Sequence, residues 1–396
     1  MRPDVLADAT HILISFCNTL TGAPALVLFD IARARADVLR VPMLVSAHGG
    51  GTGIAITDTL VIVATQGTQP AVDKASDSAR RGPSGLLIFR RTDLSLISHY
   101  TCSSVFDAHS LRVSQDGLDV VSTGTDEVVR LRLDGTRVVS EVVLWRVEAD
   151  APRADHHHLN GMCEWGDDVV ISGFGQKAGL LWASAADGFI RRLSNGQRVA
   201  TGIRHPHSPV DVGETIAYCE SGSSTVHLMG TGRRREVPGY PRGMCRVGDW
   251  LYVGTSKGRR SSKSTGVLSN RADPGIPSGQ CSLIRIRVDD FAIDQTISLE
   301  LFGWEIYELQ PVSDVGQWPI ASPTEWRDSL ILSLQGQHDE REATVAWLHT
   351  EVAQRDALVT ALHEEVARRD GTISELHAAV AERDRLIVDR ADREHH

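Results

Sequence analysis

Two short apolar runs joined by a tight polar turn recur along most of the chain. In the clearest copy Tyr240-Pro241-Arg242-Gly243-Met244-Cys245-Arg246-Val247 meets the turn Gly248-Asp249 and continues as Trp250-Leu251-Tyr252-Val253-Gly254. Leu159-Asn160-Gly161-Met162-Cys163-Glu164-Trp165, Gly166-Asp167 and Asp168-Val169-Val170-Ile171-Ser172 repeat it, Gly-Met-Cys on Gly-Met-Cys. Further copies begin at Thr52, His109 and His207, the second with one inserted residue. The leading residues Thr52, His109, Asn160, His207 and Arg242 are 57, 51, 47 and 35 positions apart. A four-stranded propeller blade needs roughly 40 to 50 residues, so each copy reads as the inner hairpin of one blade.

The two ends of this repeat array complement each other. Apolar runs at residues 11–16, 25–31 and 38–45 look like the outer strands of a blade that lacks its first strand. After the fifth copy, Trp304-Glu305-Ile306-Tyr307-Glu308-Leu309-Gln310-Pro311-Val312 looks like an opening strand with nothing behind it. A C-terminal strand completing an N-terminal blade closes the ring and removes exposed sheet edges. The pattern therefore predicts an all-β, six-bladed β-propeller over residues 1–335. Two insertions interrupt it, residues 66–85 and the basic, Ser/Gly-rich stretch 257–279. Residues 313–340 read as a linker in which Trp318, Trp326 and the apolar run 329–334 pack back on the propeller.

From Arg341 the period changes to seven. Val345, Val352, Val359, Val366, Ile373, Val380 and Ile387 take heptad position a. Leu348, Leu362 and Leu376 alternate at d with Arg355, Arg369 and Arg383, and Arg390 takes the last d position, so the full repeat is 14 residues over 341–394. This predicts an α-helical coiled coil about 64 Å long, either a homodimer or a pairing with a partner helix. β-branched a positions with Leu at d favour two parallel strands. The histidines His349, His363 and His377 recur at e as solvated members of the repeat.

Charge and composition narrow the function. A net charge of −10 argues against nucleic-acid binding. No apolar run reaches the roughly 20 residues of a membrane span, and the N-terminus lacks a signal-peptide core, so a cytoplasmic location is expected. Six scattered cysteines without a CxxC pair read as core thiols.

The inner strands of a propeller converge on a channel, and their first residues line one mouth. The leading residues keep their flanks but change type from copy to copy, as a site assembled from several blades would. Thr52, Asn160 and Arg242, with Lys257 and Arg259 from the basic stretch, are candidate ligand-binding groups. Arg242 offers paired donors to a carboxylate or phosphate, or pairs internally with a glutamate. The sixth position falls within 305–308, which makes Glu305 and Glu308 candidate catalytic acids or bases. His109, His158 and His207, with His48, His156, His157 and His205 nearby, could ligate a divalent transition metal. Serine-nucleophile, P-loop and dinucleotide motifs are missing.

The segments Phe106-Asp107-Ala108-His109-Ser110-Leu111, His157-His158-Leu159-Asn160-Gly161-Met162, His205-Pro206-His207-Ser208-Pro209, Tyr240-Pro241-Arg242-Gly243, Gly254-Thr255-Ser256-Lys257-Gly258-Arg259 and Glu305-Ile306-Tyr307-Glu308-Leu309 together resemble a bacterial family with a conserved-hypothetical propeller domain, often found beside glycosyltransferase or methyltransferase modules. The resemblance spans roughly residues 10–315 and leaves the heptads outside. It implies a six-bladed propeller distantly similar to gluconolactonase and NHL-type propellers, and no assigned activity. Gluconolactonase-like enzymes hold an axial metal with acidic and amide side chains, whereas His109 and His207 dominate here. Three readings follow: a module binding a polar or anionic, glycan-related small molecule; a metal-dependent hydrolase or lyase; and an inert-channelled scaffold.

Overall fold

The computed structural model describes residues 8–17, 25–41, 50–67, 82–150, 152–179, 182–257 and 279–394. Among the described residues, twenty-four strands form six antiparallel four-stranded sheets. The closing blade takes β1 (His11–Phe16), β2 (Leu26–Asp30) and β3 (Arg35–Val38) from the N-terminal end. Blade one holds β4 (Gly51–Ile56), β5 (Leu60–Thr65), β6 (Pro83–Arg90) and β7 (Leu96–Phe106). Blade two holds β8 (Ala108–Ser114), β9 (Gly117–Ser122), β10 (Glu127–Asp134) and β11 (Arg137–Arg146). Blade three holds β12 (Leu159–Trp165), β13 (Asp168–Gly173), β14 (Gly188–Arg192) and β15 (Arg198–Ile203). Blade four holds β16 (Pro206–Asp211), β17 (Ile216–Glu220), β18 (Thr225–Leu228) and β19 (Arg234–Glu236). Blade five holds β20 (Tyr240–Val247), β21 (Trp250–Ser256), β22 (Ser282–Arg287) and β23 (Ile293–Ser298).

The expected closure is present. β24 (Ile306–Val312) lies against β1, with Leu309 opposite Ile14 and Gln310 opposite Leu13, so the last strand is the inner strand of the closing blade. Inner strands β4, β8, β12, β16, β20 and β24 touch in succession round a closed ring.

Middle strands carry unbroken apolar runs because both of their faces meet a neighbouring blade; all six residues of β5 are buried. Outer strands alternate, as β23 does, because one face meets solvent. The core is accordingly divided into six clusters, one at each blade-to-blade interface. Phe16, Phe29 and Tyr252 fill the seam between the closing blade and blade five. The seam between blades three and four is the thinnest, built on Val170, Ile190, Ile203 and Ile216. Backbone approach across these seams is close. A Cβ on Gly243 would stand 2.9 Å from the Tyr307 carbonyl oxygen, and one on Gly53 would stand 2.8 Å from that of His109.

After β24 the chain does pack back. Trp318 is buried beside Leu39 and Leu94 and its indole N–H donates to the Arg91 carbonyl at 2.5 Å. A long helix, α1 (Pro323–Glu394), then begins inside the stretch read as a linker. Its start is a capping box: Ser322 Oγ accepts from the Glu325 N–H at 3.3 Å, and the Glu325 carboxylate accepts the Ser322 N–H at 2.9 Å. Trp326, on the first turns, lies against Phe302 with ring centroids 5.4 Å apart. The chain divides into two compact units, residues 1–330 and 331–396. Among the described residues no helix is long and apolar enough to cross a membrane. Of the two insertions, 68–81 and 258–278 lie outside the described residues.

Candidate functional site

Every inner strand carries a one-residue bulge near its start. The register slips between Gly51 and Ile54, Ala108 and Leu111, Leu159 and Met162, His207 and Val210, and Pro241 and Met244. On β24 the slip falls between its partners Phe16 and Ile14, opposite Ile306 and Leu309. A bulge re-aims the side chain it carries. Of the repeat's leading residues, Thr52, His109, Asn160 and Arg242 lie inside these slips, His207 forms the last pair before one, and all five are buried.

The sequence left the register of the sixth position open within 305–308, and the strand pairing gives it. Tyr307, rather than Glu305 or Glu308, follows the Ile306–Phe16 pair as Arg242 follows the Pro241–Thr255 pair. The two glutamates flank it. The Glu305 carboxylate is 3.6 Å from the Arg242 guanidinium and accepts from the Cys17 thiol at 3.4 Å. Glu308 is partly accessible; desolvation nevertheless pushes its carboxyl up to about 8, with a backbone N–H at Leu309 offsetting part of that.

One local device orients three of the ring residues. His109 Nδ1 is 2.9 Å from the Asp107 carbonyl, Asn160 Nδ2 is 2.7 Å from that of His158, and His207 Nδ1 is 3.1 Å from that of His205. Each accepting residue lies two positions upstream and has left-handed backbone, with φ of 53°, 49° and 54°. A carbonyl only accepts, so each imidazole carries its proton on Nδ1 and presents a bare Nε2. The His207 Nδ1 is also 2.8 Å from Ser221 Oγ, whose own proton goes to the Pro241 carbonyl at 2.5 Å. Asn160 likewise spends its amide N–H groups on carbonyls, the second on Pro206 at 3.4 Å, and presents its oxygen. His207 Nε2 and Asn160 Oδ1 are buried and have no hydrogen-bond partner among the described residues.

Both imidazoles are neutral. Desolvation lowers His109 to about 3; Asp107 opposes this, while His158 and Arg242 reinforce it. His207 is held well below the usual range by desolvation, then by Arg242, His158 and His109. Arg242 is thus the permanent cation of the ring, lying 4.4 Å over the Tyr307 face.

Aromatic side chains complete the mouth. His109 meets Tyr307 and His158 edge-on at 5.1 and 5.2 Å. Phe174 stacks on His205 at 4.4 Å and touches His158 and His207; Trp182 covers His158 at 4.6 Å, and Tyr240 stands against His207 at 5.4 Å. The run of three histidines divides: His156 is exposed, His157 is held by Glu148 at 3.0 Å, and only His158 enters the ring, with its Nδ1 3.1 Å from Asp155. Lys257, at the end of β21, is exposed and 4.0 Å from Glu300. Arg259 and His48 lie outside the described residues. Among the described residues no group of three or more His, Cys, Asp or Glu side chains is gathered so as to hold a metal ion.

Tyr307 could have been found by aligning the last strand on Arg242. Phe174 and Trp182 carry no repeat signal, since they belong to the β13–β14 connection.

Solved structures resemble this one at low sequence identity. A structure of a nidogen/laminin complex matches with a TM-score of 0.50 at 11% identity, covering 77% of this chain and 99% of that one. A proposed 6-phosphogluconolactonase from Bacteroides fragilis matches at 0.45 and 10%, covering 78% and 99%. The calcium-binding protein regucalcin from Agrobacterium tumefaciens matches at 0.42 and 11%, covering 62% and 73%. No curated protein matches the sequence. The match that reaches across the propeller is to a family model over residues 48–320, and the chain belongs to that family, described as "Domain of unknown function (DUF4915)".

Proposed function

We propose that the propeller is a binding module whose axial mouth takes a small, hydroxyl-rich, anionic molecule of the sugar-acid or sugar-phosphate kind. The observation that carries this reading is the pair of buried acceptors, His207 Nε2 and Asn160 Oδ1, left without partners on adjoining blades. A buried polar atom without a hydrogen bond costs roughly 1–3 kcal/mol, so a ligand that donates to both recovers that cost. The donors are neutral hydroxyls rather than ammonium groups, because desolvation already disfavours positive charge at both imidazoles and the Arg242 cation adds to it. Arg242 supports the anionic end, since a guanidinium offers a paired fork to carboxylate or phosphate. The faces of Phe174, Trp182 and Tyr240 suit the C–H face of a sugar ring.

Isothermal titration with glucuronate, gluconate and glucose 1-phosphate tests this. Saturable binding by at least one of them, weakened tenfold or more in both His207→Ala and Asn160→Ala, is the expected result. Absence of saturable binding across the three, or binding unaffected by either substitution, refutes it.

A further inference from the structure

The long helix leaves one face uncovered. From Val345 to Ile387 the apolar side chains at heptad positions a and d are each 45% to 59% exposed. The stripe runs about 64 Å at 1.5 Å per residue. A stable interface covers about 800 Å² on each partner, which a continuous stripe of that length supplies. We propose that α1 pairs with α1 of a second copy of this chain, antiparallel, about a two-fold axis between Ala367 and Arg368.

Charge decides the direction. In a parallel pair in register, Arg355, Arg369 and Arg383 at d each meet the partner's identical arginine in the core seam. Glu351 and Glu365 at g then face the partner's Asp356 and the partner's Asp370 at e, again like against like. These repulsions outweigh the parallel preference of β-branched a residues with Leu at d. In an antiparallel pair every d residue lies opposite an a residue. About the stated axis, Arg369 lies opposite the partner's Val366, Leu362 opposite the partner's Ile373 and Leu376 opposite the partner's Val359. No two arginines share a layer.

The flanking e positions select the register. In antiparallel helices e faces e across the seam. About this axis His363 faces the partner's Asp370, His349 faces the partner's Asp384 and His377 faces the partner's Asp356. Each imidazole N–H meets a carboxylate. A slip of one heptad sets histidine against histidine and aspartate against aspartate. The arginines at d are already drawn along their own helix, Arg355 to Glu351 at 3.2 Å and Arg369 to Glu365 at 2.7 Å. Their aliphatic stems can therefore cover the seam while the charge stays in water. The 14-residue repeat, in which Leu and Arg alternate at d while His and Asp alternate at e, is what this pairing requires.

Sedimentation equilibrium on the full chain gives the first readout, and mild oxidation of two variants at exposed positions gives the second. Val352→Cys with Arg383→Cys places thiols in one antiparallel layer, whereas Val352→Cys alone leaves them about 46 Å apart along the axis. Five native cysteines are buried and Cys163 is half-buried, so the wild-type chain serves as the baseline. A dimer whose double variant forms a covalent dimer, while the single variant does not, is the expected result. A monomer at micromolar concentration, or covalent dimer from Val352→Cys alone, overturns the proposal.

Discussion

Replacing Glu308 with glutamine should flatten the pH dependence of propeller stability. The residue follows Tyr307 on the closing strand, and its backbone N–H donates to Ser15 Oγ at 3.1 Å. Burial pushes its carboxyl from 4.5 up to about 8. Between those two pH values the folded chain holds a proton that the unfolded chain has released, so stability falls as pH rises through that window and levels off above it. Each tenfold change in proton affinity is worth about 1.4 kcal/mol, so the full difference is at most about 5 kcal/mol. Glu308 as a whole residue is partly accessible, so solvent screening is taken to reduce the effect to about 2 kcal/mol.

Glutamine keeps the shape of the protonated acid and cannot ionise. Wild type and Glu308→Gln should therefore melt together near pH 5. At pH 8.5 the variant should melt higher by about 4 °C for a domain of this size. Asp126, also pushed up to about 8 by burial and then by Asp155, contributes the same slope to both proteins and cancels in the comparison. Near-ultraviolet circular dichroism follows the propeller's tryptophans and tyrosines through the melt. Parallel melting curves for the two proteins from pH 5 to 9 would show that the carboxylate is not desolvated and the reasoning is wrong.

Two further substitutions probe how the blades are held. Gly243→Ala places a Cβ 2.7 Å from Leu309 Cδ1 and 2.9 Å from the Tyr307 carbonyl, at a φ of +72°, and should cost roughly 2–4 kcal/mol; an unchanged urea midpoint would contradict the close packing of blade five on the closing strand. Asp119 is fully buried between Arg112 and Arg130, so Asp119→Ala removes the carboxylate that both guanidinium groups share, leaves Arg112 only Glu164 and Arg130 only Asp116, and should cost roughly 1.5–3 kcal/mol. Its exposed neighbour Asp116 meets the same Arg130 at 3.3 Å, and Asp116→Ala should cost under about 1 kcal/mol in the same denaturation assay.

What could be read from the chain depends on where the physics is periodic. Five blades were legible because a bulge, a tight polar turn and a following apolar run recur each time, two of the turns as the same Gly-Asp pair. Gly161 and Gly243 are both needed because a neighbouring backbone lies within 3 Å of any Cβ. The composite blade was legible by complementarity, since an inner strand without followers and outer strands without a leader satisfy each other's edges. The sixth ring residue was not. β24 has no hairpin partner next in sequence, so nothing local marks its register, and the eye is drawn to the charged Glu305 and Glu308 instead of Tyr307. The aromatic wall escaped for a different reason. Phe174 and Trp182 come from a connection that no other blade reproduces, and only folding sets them against His158 and His207. The tautomers were beyond sequence altogether, because they follow from carbonyls two residues upstream that point at the ring only in left-handed backbone. A repeat therefore announces the places where a site can be built, while the chemistry at those places is set by the positions that break the repeat.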